Sequence, residues 1–172
     1  QDFTASFGIE PGIELQPRYN IAPSQGVVAV RFIEGQKIAG PLRWGLVPFW
    51  AKDPAIGNRM INARAETLAE KPSFRQALRR RRCLIPANGF YEWKQEATGK
   101  QPWYISAADN KLLAFAGLWE EWQTPAEDVL RTCTIITTTA NEFMQDLHHR
   151  MPVMFTPEQF SVWLNPRLSG EA

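Results

Sequence analysis

The sequence predicts one α+β domain over residues 1–172, with mixed, mainly antiparallel sheets that form a barrel-like core and a few peripheral helices. Many short β-branched or aromatic segments follow one another at close spacing, with turn residues such as Thr98-Gly99 and Asp109-Asn110 between them. Few stretches have helical features. The chain is 44% hydrophobic and 22% charged, as expected of a globular protein that buries its core without disulfides.

The N-terminal half alternates predicted strands with loops. Residues 1–24 contain repeated Pro and Gly and are expected to be mostly irregular. The β-branched segment Val27–Ile33 predicts a strand, and Leu42–Val47 predicts a second strand that stops at Pro48. Pro72 stands in the first turn of a short amphipathic helix that ends in a run of arginines.

The C-terminal half predicts a series of strands followed by helices. Residues of high β propensity mark further strands at Cys83–Ile85, Phe90–Lys94, Pro102–Ser106, Leu112–Leu118 and Arg131–Thr138. Asn141–Leu147 predicts a helical stretch. Thr156, Pro157 and Gln159 combine an N-cap, a first-position Pro and a capping-box residue, which predicts a helix through Leu164.

Charge and cysteine content argue against several classes of function. The net charge is only +1, so the protein as a whole is not a polycation. Cys83 and Cys133 lie far apart without a CxxC motif or a nearby His pair, so we expect no zinc, no other metal and no cofactor. We also expect both thiols to be buried in strands. No apolar run reaches transmembrane length, so we expect no membrane partner. The sequence also has no Gly-rich phosphate loop.

Two compositional features leave alternatives open. Arg75 and residues 79–82 concentrate five arginines within eight positions, which is typical of a solvated helix face but also suits a local phosphate-binding patch. The chain also has seven Trp residues. We expect most of them in the core and one or two exposed in a cleft, where they could stack on bases.

Three short polar motifs stand in aromatic-rich sequence: Asn62–Glu66, Gly89–Lys94 and Leu147–Pro152. Burial of their amide, carboxylate and imidazole groups would cost free energy unless they bond to one another or to a ligand, which predicts a shared polar pocket. Glu92 is either an outward-facing strand carboxylate or an acid/base group in a cleft of low polarity.

The histidines and the Asn62 motif supply further candidate groups. His148 and His149 are adjacent and should point in different directions, so that one could shuttle protons while the other is exposed. Asn62 and Arg64 share a face if this segment is extended, which would suit them to orienting a reacting group and gripping a phosphate. No convincing nucleophile accompanies them, so it lies outside the 172 residues or does not exist.

An ordered set of motifs resembles the SRAP family, the SOS-response-associated peptidase-like proteins that process abasic sites in DNA. The matching segments are Tyr19–Pro23, Arg43–Trp50, Ile61–Thr67, Arg82–Pro86, Gly89–Lys94, Thr137–Asn141 and His148–Val153. They occur in the family's order and spacing from about residue 19 to residue 164. One motif alone would be weak, whereas the ordered set is highly specific.

The resemblance implies a DNA-damage enzyme that binds single-stranded DNA and crosslinks itself to abasic sites as a thiazolidine through an N-terminal cysteine. By the family's motifs, Asn62 would orient the reactants, Glu92 would be the acid/base and His148 would assist proton transfer and reversal. The DNA-binding residues that the resemblance implies are Arg64, Arg150, Trp50, Trp44, Pro23 and Thr137. We expect a monomer that acts in the cytoplasm, on the nucleoid after damage, if bacterial, or in the nucleus if eukaryotic.

The chain departs from the family at both ends. The family's opening Met-Cys-Gly-Arg is absent before Gln1-Asp2-Phe3, and we expect that the first residues have been trimmed rather than lost from the gene. The segment after the helix at Pro157–Leu164 is also shorter than usual. Two alternatives remain: a cysteine peptidase that matures its own N-terminus, with hydrolase rather than lyase-like chemistry, and a non-catalytic single-strand-binding module.

Overall fold

The computed structural model describes residues 3–9 and 14–168. In chain order its strands are β1 (Gly26–Ile33), β2 (Gln36–Trp44), β3 (Asn62–Arg64), β4 (Arg82–Ala87), β5 (Gly89–Glu96), β6 (Gly99–Ser106), β7 (Leu113–Gln123), β8 (Val129–Thr139) and β9 (Arg150–Pro152). Its α-helices are α1 (Phe3–Phe7), α2 (Arg75–Arg80), α3 (Glu142–Gln145) and α4 (Pro157–Leu164). Short 3-10 helices cover Pro54–Arg59 and Ala65–Thr67.

Five strands close into a barrel. They pair antiparallel in the order β2-β1-β4-β7-β8, and a short parallel pairing of β2 with β8 closes the ring. In that pairing Arg43 lies opposite Thr132 and Trp44 opposite Cys133. The predicted fold class, a mainly antiparallel α+β domain with a barrel-like core and few helices, is confirmed.

Inward-facing residues of all five strands form the barrel interior. The buried members are Val27, Ala29, Leu42, Cys83, Ile85, Phe115, Trp119, Cys133 and Ile135. The alternating apolar positions of β1 and β4 produce this interior because successive side chains of a strand point to opposite faces. Two further apolar clusters cover the outside of the barrel, one under α2 and one under α1 and α4.

The hairpin of β5 and β6 stands apart from the barrel as a two-stranded sheet. It pairs from Gly89 opposite Ser106 to Glu96 opposite Gly99. Phe90 attaches it to the barrel, because the ring of Phe90 packs edge-on against Phe115 with centroids 5.6 Å apart.

The helix predicted from the capping-box pattern is confirmed at Pro157–Leu164, and the Thr156 amide donates to Gln159 Oε1 at 2.9 Å. Residues 14–24 are irregular, as predicted, and residues 3–7 form one short helix in which Phe7 stacks on Phe160 of α4 at 4.9 Å. Two other predictions need correction. Pro72 precedes α2 rather than standing in its first turn, since α2 begins at Arg75. The second strand begins earlier and ends at Trp44.

The early end of β2 has a clear cause in hydrogen bonding. The Leu46 amide donates to Met60 O at 3.1 Å, and the Val47 amide donates to the Thr132 hydroxyl at 2.8 Å. Neither amide is available for a strand ladder. Within residues 3–9 and 14–168, no helix combines the length and apolar character that a bilayer crossing requires.

Candidate functional site

The C-terminal half of β8 collects most of the predicted site residues. β3 pairs parallel with it, so that Asn62 lies opposite Ile135 and Arg64 opposite Thr137. β9 pairs antiparallel with it and places Arg150 opposite Thr139. We call the group formed by Asn62, Arg64, Thr137, His148 and Arg150 the β8 site.

Asn62 and Arg64 point to the same face, as their spacing predicts. Both are exposed, whereas Ala63 between them is buried against the cluster under α2. The expectation that the amide of this motif is buried is therefore wrong. A three-residue strand with only its middle side chain in the core presents the other two to solvent.

Arg150 is held in place by a forked ion pair. Its Nη1 and Nη2 donate to Glu66 Oε1 at 2.8 Å and Oε2 at 2.9 Å, and Nη2 also donates to Thr137 O at 2.8 Å. These bonds lower the pKa of Glu66 to about 2. Arg150 Nε is buried without a hydrogen-bond partner in the described part of the chain. The Arg150 charge is thus largely matched by Glu66.

Glu66 borders the β8 site through Arg150, and the sequence alone assigns it no role. The hydrogen bond from Arg150 is the largest cause of the lowered Glu66 pKa, and the nearby positive charge of Arg64 adds a smaller contribution. The one local signal for Glu66 is its position two residues after Arg64, which places a carboxylate near that guanidinium. Its partner Arg150 is 84 positions away, which no local pattern reveals.

His148 lies beside Arg150 with its ring fixed by backbone groups. Nδ1 is 3.1 Å from both the amide nitrogen and the carbonyl oxygen of Arg150. A neutral ring with its proton on Nε2 accepts the amide hydrogen at Nδ1, whereas a protonated ring, or a neutral ring with its proton on Nδ1, donates to the carbonyl. Both protonation states have a bonding partner, which suits a proton shuttle.

The two histidine rings do not diverge as expected. Their centroids are 4.5 Å apart with planes tilted by 34°. His149 is the exposed member of the pair and His148 is half-buried, in agreement with the prediction that only one of them is sheltered.

Glu92 is half-buried on β5, between exposed Tyr91 and Trp93. Strand alternation puts Glu92 on the same face as Phe90, which packs on the barrel. Trp103 lies directly opposite Glu92 on β6. Of the two readings left open by the sequence, this placement favours the carboxylate that faces the barrel.

Trp44 and Pro23 extend the surface on the side of β3. The Trp44 indole donates to Ile61 O at 2.8 Å, directly before Asn62. The Ser24 amide, next to Pro23, donates to Trp44 O at 2.8 Å. Pro23 is exposed and Trp44 half-buried, so both lie at the margin of the β8 site.

Trp50 lies on a separate exposed loop. Trp122 donates to Ala51 O at 2.7 Å, and the Phe49 amide donates to Glu120 Oε2 at 3.4 Å. Trp50 is 49% exposed and lines a shallow depression of about 500 Å³. No hydrogen bond or ring contact among the described residues joins Trp50 to the β8 site.

The aromatic residues are less buried than predicted. Trp119 and Trp122 are buried, and Trp44 and Trp163 are half-buried. Trp50, Trp93 and Trp103 are each about half exposed, one more than the largest number expected. Trp93 and Trp103 belong to the hairpin, whose two-stranded sheet has too little of the molecule around it to cover both faces.

Neither cysteine can act as a nucleophile in this fold. Cys83 and Cys133 are free thiols with no exposed surface inside the barrel. Burial raises the pKa of Cys83 well above its ordinary value and that of Cys133 to about 12. The prediction that both are small buried strand residues is confirmed. Among residues 3–9 and 14–168, no three His, Cys, Asp or Glu side chains group as a metal site.

Comparisons with known proteins agree on one family. The family described as SOS response associated peptidase (SRAP) matches residues 1–172. Abasic site processing protein YoqW of Bacillus subtilis is 51% identical over 170 residues, which are 96% of this chain and 76% of YoqW. Abasic site processing protein HMCES of Gallus gallus is 34% identical, over 87% of this chain and 54% of HMCES.

Solved structures agree with the sequence comparison. A crystal structure of a protein from Bacteroides thetaiotaomicron superposes with a TM-score of 0.77 at 33% identity, over 85% of this chain and 65% of that one. The match over all 172 residues, together with a relative at 51% identity, means that this chain belongs to the SRAP family.

Proposed function

We propose that this protein is a DNA-damage response enzyme that binds single-stranded DNA as a monomer and crosslinks covalently to abasic sites through an N-terminal cysteine. The observation that carries the proposal is the β8 site, where an amide, two guanidinium groups and a fixed imidazole surround the end of one strand. Its relatives YoqW and HMCES are named abasic site processing proteins.

The chemistry needs proton transfer more than it needs a metal. The cysteine amine would condense with the aldehyde of a ring-opened abasic site, forming a C=N bond and releasing water. The thiol would then add across that bond, with sulfur joining carbon and the thiol proton ending on nitrogen. Glu92 would act as the acid/base for imine formation, and Asn62 would orient the reactants.

His148 and Arg64 have different parts in this scheme. Because His148 has a partner for Nδ1 in either protonation state, Nε2 could give a proton to the leaving thiol when the crosslink reverses. Exposed Arg64 would contact the DNA backbone together with Pro23 and Trp44. Arg150, which is paired with Glu66, and buried Thr137 would support this surface from behind. Trp50 would stack on a displaced base from its separate loop.

The test uses protein prepared from its native start codon, so that removal of the initiator Met exposes the family's cysteine. Incubation with a single-stranded oligonucleotide carrying one abasic site should give an SDS-resistant adduct, while the undamaged strand should give none. Replacement of that cysteine by serine is the matched control. Adducts of equal yield on both strands would overturn the proposal.

The same preparation separates the alternatives. A peptidase would cleave casein, and its activity would be independent of DNA. A non-catalytic binding module would retain both the damaged and the undamaged strand in a native gel and give no SDS-resistant band with either.

A further inference from the structure

A cluster of arginines surrounds a depression at the end of the barrel where β8 begins. The depression has a volume of about 590 Å³, and its lining includes Arg31, Arg80, Arg81 and Arg131. We call it the arginine depression. Arg131 precedes Thr137 of the β8 site on the same strand, and an extended segment of that length spans about 20 Å. The two sites therefore lie towards opposite ends of β8.

Arg31 is the buried member of this cluster. It is only 6% exposed, and its Nε and Nη1 have no hydrogen-bond partner among the described residues. Its guanidinium lies over the Trp119 ring, with Cζ 4.8 Å from the centroid. This cation–π contact offsets part of the cost of burying the charge. A buried cation nevertheless normally has an anion beside it, so its absence here points to a ligand.

The carboxylates near the arginine depression are already engaged. Glu120 accepts from Arg81 at 2.5 Å, and Glu121 accepts from Arg131 at 2.8 Å. Among the described residues, Arg31 and Arg80 have no carboxylate within ion-pair distance. The pKa of Arg31 is lowered first by burial and then by repulsion from Arg131, and the smaller opposing effect of Glu121, which also lines the depression, leaves it below its ordinary value. A bound anion would relieve that repulsion.

The arginine run of the sequence divides according to this geometry. Arg82 is buried and donates to backbone oxygens, including Leu78 O at 2.6 Å and Trp163 O at 2.5 Å, so its role is structural. Arg81 forms an ion pair with buried Glu120. Arg80 lines the arginine depression, whereas Arg75 on the same helix is exposed and does not line it.

We propose that the arginine depression binds a phosphate group, with Arg31 as its buried anchor and Arg80 and Arg131 at its mouth. A phosphate offers several acceptor oxygens and up to two negative charges, which guanidinium groups can meet from different directions. The phosphate would belong to a free phosphate compound or to the backbone of a DNA strand. In the second case it would be a backbone phosphate beyond the nucleotides held at the β8 site, and the inference then rests on the proposed function.

The first experiment measures the binding of inorganic phosphate, and of a mononucleotide, by calorimetry against chloride at equal ionic strength. Wild-type protein should bind both. The double variant Arg80→Gln with Arg131→Gln should bind them about tenfold or more weakly, because it lacks two charged hydrogen-bond donors. The matched control, Arg75→Gln with Arg167→Gln, removes two exposed positive charges outside the depression and should bind like wild type. Melting temperatures in chloride establish that each variant folds.

The second experiment identifies the source of the phosphate. If neither small anion binds, the double variant should bind long undamaged single strands more weakly than the two-charge control does. The difference should appear only for strands long enough to span both sites. Equal affinities of the double variant and the control for small anions and for all strands would overturn the proposal. Neither assay needs an abasic site or the cysteine. The small-anion result is therefore independent of the proposed function, whereas the strand assay rests on the single-strand binding proposed for the β8 site.

Discussion

At the scale of single residues, the solvent exposure of the Glu92 carboxylate is determined by the face of the hairpin on which it lies. Tyr91 and Trp93 take the outer face, and Glu92 shares the inner face with Phe90. Partial burial beside Trp103 limits solvent access to the carboxylate. The proposed acid/base role of Glu92 relies on this placement, because a carboxylate on the outer face would point away from the barrel.

We expect Glu92→Gln to slow crosslinking by roughly 10²-fold or more, the usual contribution of a general acid or base. DNA affinity should stay within a few-fold of wild type, because Gln keeps the shape and polarity of Glu and removes only the transferable proton. A timed gel assay from about pH 5 to about pH 9 measures the rate.

The matched control for this variant is Glu96→Gln. Glu96 lies on the same strand and, by alternation, on the same face, but it is exposed near the turn of the hairpin. It should crosslink like wild type. A Glu92→Gln rate equal to that of Glu96→Gln at every pH would remove Glu92 from the mechanism.

At the scale of secondary-structure elements, the sequence predicts the long strands and the capped helix but not the short strands that build the site. β1, β7 and β8 have enough β-branched or aromatic residues to be recognised by themselves. β3 and β9 have three residues each, too few for any period to appear. They are strands because β8 provides them with partners distant in sequence.

The same limit applies to the interactions within the site. The spacing of Asn62 and Arg64 is local, so their shared face is predictable. The pairing of Arg150 with Glu66, and the packing of Arg31 on Trp119, depend on strand order around the barrel. The resemblance to a family identifies the site residues, but it does not reveal which of their charges are already paired with a carboxylate.

This difference in neutralisation predicts that Arg64 and Arg150 act differently. Arg64→Ala should weaken binding to any single-stranded sequence and reduce the salt dependence of log K by about 0.7 for each phosphate that is no longer neutralised. Arg150→Ala should change that slope less, because Glu66 already takes both ends of its guanidinium fork. Fluorescence anisotropy over a series of salt concentrations measures both slopes.

Arg150→Ala should instead lower the melting temperature by about 2 to 4 °C, the effect of losing about 1 kcal/mol in a domain of this size. It leaves Glu66 and the Thr137 carbonyl without their donor. Exposed Arg167→Ala controls for the removal of one positive charge elsewhere. Identical slopes and melting temperatures for Arg64→Ala and Arg150→Ala would contradict this division of roles.

At the scale of the whole molecule, the barrel separates inert thiols from the surface where chemistry would take place. Cys83 pairs with Gly117 across β4 and β7, where a Cβ on Gly117 would come within 2.8 Å of the Cys83 sulfur. Cys133 lies at the closure of β2 with β8. Both positions are inside the ring of strands, so a thiol reagent reaches them only when the barrel opens.

We therefore expect folded protein that begins at Gln1 to take no iodoacetamide label at neutral pH. The same protein should take two labels after unfolding in guanidinium chloride. Burial keeps both thiols protonated, and the thiolate is the reactive form. Protein prepared from its native start codon should take one label while folded, at the new N-terminal cysteine, and should then lose crosslinking. Intact-mass spectrometry counts the labels, and a folded Gln1 form that reacts as fast as the unfolded one would show that the barrel does not protect its cysteines.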